Sequence, residues 1–139
     1  MEPIKIVLVE DDEGHARLIQ KNLQRAGVTN EIVFFNNGQS VLDYLETEHL
    51  GQRTFEHLLI LLDLNLPVLS GYEVLVKIKA DERTKKIPVI ILTTTDLPHE
   101  IARCYELGCN FFITKPVQYD EFCNVIRSLG LLLSIIKTP

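Results

Sequence analysis

Glu10, Asp11, Asp63, Thr93 and Lys115 are the residues whose types and spacing could do chemistry together. Asp63 closes an unbroken apolar run, 58–62, after which Pro67 and Gly71 turn the chain into a new helical pattern. A carboxylate at the end of a strand buried on both faces is costly unless something nearby compensates it. Glu10 and Asp11 close a first β-rich run at 4–9, Thr93 closes another at 87–92, and Lys115 follows a short one at 111–114. If the first and third runs are neighbours in a parallel sheet, their carboxylates converge at the switch point of the sheet. Two carboxylates about 5 Å apart repel by roughly 3 kcal/mol at an effective dielectric of about 20. A cluster of three therefore needs protonation or a cation. Oxygen-only ligands in an open cleft suit Mg²⁺, which keeps its waters and accepts a phosphoryl oxygen. Lys115 adds a point charge and Thr93 a hydroxyl donor. A carboxylate nucleophile, a divalent cation, a lysine and a hydroxyl fit phosphoryl transfer to Asp63, giving an acyl phosphate.

The elements that must hold these residues are written in the hydrophobic pattern. Ala16, Ile19, Leu23 and Ala26 recur at helical spacing, and Gly27 is a natural stop. Residues 32–35 read as a second strand, and Asn36, Asn37 and Gly38 turn into a helix carrying Val41, Leu42 and Leu45. The polar stretch 47–57 reads as a long surface loop. Val74, Leu75 and Ile78 mark a third helix that finishes in the charged stretch 79–86. Pro98 opens a fourth helix through Ile101, Ala102 and Tyr105, ended by Gly108. Phe122, Val125, Ile126 and Leu129 form the face of a last helix, and residues 130–139 read as an apolar C-terminal extension. Strands alternating with helices predict an α/β fold, a doubly wound five-stranded parallel sheet with five helices. The strand order expected is 2-1-3-4-5, in a single domain over residues 1–139.

Composition narrows the function further. With 139 residues the chain has room for one ordinary core. A net charge of −5 argues against nucleic acid as a partner, which calls for a basic footprint. No apolar run approaches the roughly 20 residues of a membrane span, and the start shows no signal-peptide pattern. Cys104, Cys109 and Cys123 lack metal-ligand spacing and read as buried thiols of a reducing, cytoplasmic protein. His15, His49, His57 and His99 read as surface or capping residues.

From about residue 4 to 129, these motifs resemble the response-regulator receiver domains of two-component signalling, which have a flavodoxin-like fold. Glu10 and Asp11 sit at that family's acidic pair, Asp63 at its phosphoacceptor, Thr93 at its switch hydroxyl, and Lys115-Pro116 at its lysine and following cis-proline. The resemblance implies that Asp11 and Asp63 bind Mg²⁺ by their side chains, Asn65 by its backbone carbonyl, and Glu10 through water. Asp12, one position past the pair, would contribute only field. Phe112 falls at the aromatic switch position and, unlike a tyrosine, cannot donate a hydrogen bond. Asn65 and Thr95 would flank the path of the hydrolytic water, and the bulk of Thr94 would restrict access. The implied phosphodonor is a sensor histidine kinase. The long loop before the third strand, the stretch 92–95 and the apolar extension look similar to the small regulators paired with bacterial phytochromes.

Other functions meet specific obstacles. An aspartyl-phosphate phosphohydrolase wants a second acid two residues after its nucleophile, where this chain has Asn65. A flavin module wants a donor-rich loop after the first strand, where Glu10, Asp11, Asp12 and Glu13 would repel phosphate. A phosphorylation-independent interaction module stays open, because fold does not fix function. Leu131, Leu132, Leu133, Ile135 and Ile136 add apolar side chains beyond the last helix stripe. They predict a homodimer through the C-terminal face, against a tail folded back on its own domain or one that docks in a kinase groove.

Overall fold

The structure is a computed structural model that describes residues 4–50 and 57–135. Its strands are β1 (Lys5–Val9), β2 (Ile32–Phe35), β3 (Leu58–Leu62), β4 (Val89–Thr93) and β5 (Phe111–Thr114). They form one parallel sheet, as the alternation of patterns predicts, in the expected order β2-β1-β3-β4-β5. The helices are α1 (Glu13–Arg25), α2 (Gly38–Leu50), α3 (Gly71–Ala80), α4 (Pro98–Glu106) and α5 (Tyr119–Leu133).

Every residue of β3 and β4 is buried, because these strands have neighbours on both edges and helices on both faces. Alternate residues therefore feed two cores. Leu59 and Leu61 join Ile6, Leu8, Ile19, Leu23, Phe122 and Ile126 under α1 and α5. Ile60 and Leu62 join Val7, Val9, Val41, Val74, Leu75 and Ile78 under α2 and α3. Each such side chain contributes about 1.5–3 kcal/mol when fully buried, so burial holds the centre of the sheet firmly in place.

That centre sets the register of the strand ends. Val9 lies opposite Leu62, and the Asp63 N–H donates to the Val9 carbonyl at 3.0 Å. The next residue of each strand, Glu10 and Asp63, consequently leaves the sheet on the same side. Gly71 closes the loop after β3 by an approach only glycine allows. A Cβ there would lie 2.2 Å from the Asp63 carbonyl oxygen and 2.5 Å from the Leu64 Cα. Gly27 and Gly108 stop their helices at φ 92° and 107°, as read from sequence.

The structure corrects several expectations. α2 runs to Leu50, so 47–50 is helix rather than loop; the Thr47 hydroxyl donates to the Asp43 carbonyl at 2.9 Å and stays compatible with the helix. Residues 51–56 of the expected loop lie outside the described residues. α5 continues to Leu133, taking in the first part of the expected extension, while Ile136 lies outside the described residues. α4 is the helix expected through Ile101, Ala102 and Tyr105; of its residues it buries Cys104, while Ala102 and Tyr105 are exposed. No peptide bond among the described residues is cis, so the Lys115–Pro116 bond is trans. An X–Pro bond prefers trans by about 0.5–1 kcal/mol, and Lys115 reaches the site with the trans bond in place. No described helix is long and apolar enough to cross a membrane.

Candidate functional site

The carboxyl ends of β1, β3 and β4, with the residue that follows β5, bring the expected residues together. Glu10, Asp63, Thr93 and Lys115 are all buried, at 1%, 6%, 0% and 3% exposure, while Asp11 is open to solvent. Ligand oxygens of Glu10, Asp11 and Asp63 lie within 4.8 Å of one another. The Lys115 ammonium donates to Asp63 Oδ2 at 3.0 Å and to Glu10 Oε1. The Lys115 backbone N–H donates to the Thr93 carbonyl at 2.6 Å, which ties the two strand ends to each other.

One lysine does not neutralise this cluster. Burial, reinforced by the charge of Asp63, pushes the Glu10 carboxyl up to about 7 against the pull of Lys115. A further cation among these oxygens would relieve both the desolvation and the repulsion, so the donor set fits a hard divalent ion. The Thr93 hydroxyl oxygen is buried and has no hydrogen-bond partner. A buried polar atom without a partner is expensive, and here it lies among the residues that would surround a phosphoryl group.

Neighbouring residues hold the site in shape. Asp63 Oδ1 accepts the Asn65 N–H at 3.1 Å, so both carboxylate oxygens of Asp63 are oriented. Glu10 Oε2 accepts the Asp12 N–H at 3.1 Å. Asp12 caps α1, accepting the His15 N–H at 3.0 Å, and this bond holds its carboxyl below the usual range. The structure thus gives Asp12 a capping role where sequence gave it only a field. Thr94 is exposed at the mouth, and the Thr95 hydroxyl donates to Glu100 Oε2 at 3.0 Å. Phe112 is half-buried against the core under α2 and α3, whereas Phe111 is 49% exposed.

Two residues of the site escaped the sequence reading. Gly71 sits directly behind Asp63, and only its close approach to backbone reveals the role. His15 places Nδ1 3.3 Å from the Lys115 ammonium and its ring 5.3 Å from that of Phe122. The signal available was Asp12 as an N-cap, which fixes the first turn of α1, and His15 with it, beside the acidic pair. Cys104, Cys109 and Cys123 are free and buried, and burial pushes the Cys109 thiol up to about 11. Burial raises Cys104 as well, so these two are poor thiolates, in keeping with the packing role read for them.

Comparison with known proteins agrees with this geometry. Residues 6–127 match the family model of the response regulator receiver domain. A receiver domain from Rhodospirillum rubrum is 50% identical and superposes with a TM-score of 0.92, covering 98% of this chain and 97% of that one. The phosphorylated cyanobacterial phytochrome response regulator RcpA is 36% identical, with a TM-score of 0.88 and 99% of each chain covered. Rcp1 of a Synechocystis strain is 32% identical over 127 residues, 91% of this chain and 86% of that protein. Its Mn²⁺-bound crystal structure superposes with a TM-score of 0.85 over 99% of each chain. With its acidic pair, buried aspartate, threonine and lysine on a sheet of this order, the chain belongs to the response regulator receiver domain family.

Proposed function

We propose that this chain is a single-domain response regulator that accepts a phosphoryl group on Asp63 from a sensor histidine kinase, in company with Mg²⁺. One observation carries the reading: the buried Lys115 ammonium is already on Asp63, inside a cluster of three carboxylates that lacks positive charge. Glu10, Asp11 and Asp63, with the Asn65 carbonyl, would hold the ion, which when bound supplies the charge that lets an anionic phosphoryl group approach. An Asp63 carboxylate oxygen attacks the phosphorus of the donor's phosphohistidine. The P–N bond breaks, its electron pair stays on the imidazole nitrogen, and Asp63 becomes an acyl phosphate. Lys115 follows the new charge, and the free Thr93 hydroxyl donates to a phosphoryl oxygen.

The test is labelling by acetyl phosphate or a phosphorylated kinase, with and without Mg²⁺. Asp63→Asn should abolish labelling, and Asp11→Asn should sharply weaken it by loosening the metal. Undiminished labelling of Asp63→Asn would sink the assignment.

Movement of Thr93 toward the phosphoryl group draws on β4 and leaves room for Phe112 to turn further inward, changing the surface of α4 and β5. Neither Asn65 nor Thr95 is a strong general base, so the acyl phosphate should hydrolyse slowly. The trans Lys115–Pro116 bond is compatible with every contact invoked here. The free buried thiols suit a reducing compartment, and the reading assigns the chain to the cytoplasm, with phytochrome-type kinases as its donors.

The domain would span 1–139 and work as a homodimer through its C-terminal face. Leu133 packs on its own core, but Leu131, Leu132 and Ile135 remain 63%, 38% and 73% exposed. Beside them lies a groove lined by Ile113, Val125, Leu129 and Leu132. A second copy offers both the apolar ridge and the groove to receive it. Sedimentation at micromolar concentration checks this: truncation after Leu129 should turn a dimer into a monomer, and a monomeric full-length chain rules the dimer out.

A further inference from the structure

Lys115 is 3% exposed, and its ammonium has three hydrogens to donate and nothing with which to accept. Two go to Glu10 Oε1 and Asp63 Oδ2. The third direction ends on His15 Nδ1, 3.3 Å away. Because the lysine can only donate, that contact requires Nδ1 to be bare and the imidazole proton to sit on Nε2. His15 is held for this task from two sides. Its backbone N–H is fixed by the Asp12 cap at 3.0 Å, and its ring leans at 49° on that of Phe122, which is itself buried.

We propose that His15 is a positioning residue for the phosphoryl transfer, its bare Nδ1 accepting the third N–H of Lys115 and keeping the ammonium directed at Asp63. The inference rests on the reading of Asp63 as phosphoacceptor. When Asp63 gains a phosphoryl group, Lys115 has to exchange Asp63 Oδ2 for a phosphoryl oxygen. Glu10 and His15 then hold the other two hydrogens, so the ammonium pivots between two fixed acceptors. Without Nδ1 the third hydrogen is unsatisfied in a nearly closed site, and the ammonium settles toward Glu10.

The full-length chain allows a direct test. Long-range ¹⁵N NMR of the histidine rings at mildly alkaline pH should show His15 with its proton on Nε2. Beryllofluoride, a phosphoryl mimic, should bind about tenfold more weakly to His15→Phe, which keeps a ring against Phe122 but loses the acceptor. His15→Asn, whose Oδ1 can stand where Nδ1 stood, should retain affinity to within about twofold of the parent. A proton on Nδ1, full affinity in His15→Phe, or an equal loss in His15→Asn overturns the proposal. Failure of the parent protein itself to bind beryllofluoride overturns the phosphoacceptor reading instead, and the ring tautomer then decides on His15.

Discussion

α3 and α4 follow the two strands that end in Asp63 and Thr93, yet they are seated in different ways. α3 is capped by the Ser70 side chain, which accepts the Glu73 N–H at 3.3 Å, and its first residue, Gly71, bonds to the Leu64 carbonyl at 2.8 Å. It buries Val74, Leu75 and Ile78, worth together about 5–9 kcal/mol. α4 has no side-chain cap and buries Cys104 alone. Polar contacts at the surface do the rest: Thr95 to Glu100 at 3.0 Å, the Arg103 guanidinium 4.4 Å above the Tyr72 ring, and the Tyr105 hydroxyl accepting the Phe112 N–H at 3.1 Å. Such contacts contribute about 0.5–1.5 kcal/mol each. The helix behind the carboxylate is thus fixed by burial, and the helix behind the hydroxyl is held by bonds that open and close cheaply. On the proposed function, a phosphoryl group on Asp63 would draw in Thr93 and release α4 without disturbing the seat of the carboxylate.

The hardest blow to that contrast is a methyl group at Gly71. In Gly71→Ala the new Cβ meets backbone atoms of Asp63 and Leu64, which cannot swing aside as a side chain would. We expect a loss of about 1–3 kcal/mol in urea unfolding and at least a tenfold drop in acetyl phosphate labelling, because Asp63 must shift. Ala102→Gly, on the exposed face of α4, should cost about 1 kcal/mol and leave labelling near normal. If the two variants lose labelling equally, the two seats do not differ in the way described.

Much of this contrast was legible before any coordinates, and the parts that were not share a cause. The central strands announced themselves because a strand buried on both faces is apolar throughout, as 58–62 is, and a charge that ends such a run stands out. Glu10, Asp63, Thr93 and Lys115 therefore came together where the strand order required. α4 lies where Pro98 and Gly108 place it, but its seat was not legible, because one small buried residue, Cys104, leaves no apolar period to find. The end of α2 was read as loop because residues 47–50 are mostly polar, and polarity alone does not tell a loop from the last turn of a helix. His15 and Gly71 act through tertiary contacts with residues 100 and 8 positions away, and no local pattern encodes either.

A gentler test concerns the bond by which Tyr105 holds the edge of the sheet. β5 is an edge strand, and its Phe112 N–H points away from β4 to the Tyr105 hydroxyl of α4. Tyr105→Phe removes the acceptor and leaves the ring. Amide exchange at Phe112 and along α4 should rise severalfold, for a stability cost of about 0.5–1.5 kcal/mol, with α3 untouched. Ser70→Ala, which strips the cap of α3 at a cost of about 1 kcal/mol, should not speed exchange in α4. Exchange that rises in both helices with either variant would mean that they open as one unit.

The smallest expected effect lies in the loop that joins Asp63 to α3, and it has the opposite sign. Val68 has a φ of 70°, and the Leu69 N–H bonds across it to the Pro67 carbonyl at 2.8 Å, a tight turn of the strained, positive-φ kind. A β-branched residue is the least suited to that conformation, and Val68 gains nothing in return from packing, since it is 79% exposed. Asparagine tolerates the left-handed region better and would lose no buried contact here. Val68→Asn should therefore stabilise the protein by up to about 1 kcal/mol, read as a higher urea midpoint with an unchanged slope. Labelling of Asp63 should stay near normal, because Gly71 and the Asn65 N–H, rather than residue 68, set the position of the carboxylate. A destabilised Val68→Asn would mean that the strain is not borne at this residue. A stabilised variant that labels poorly would mean that the strained turn, and not the seat of α3, is what aims Asp63.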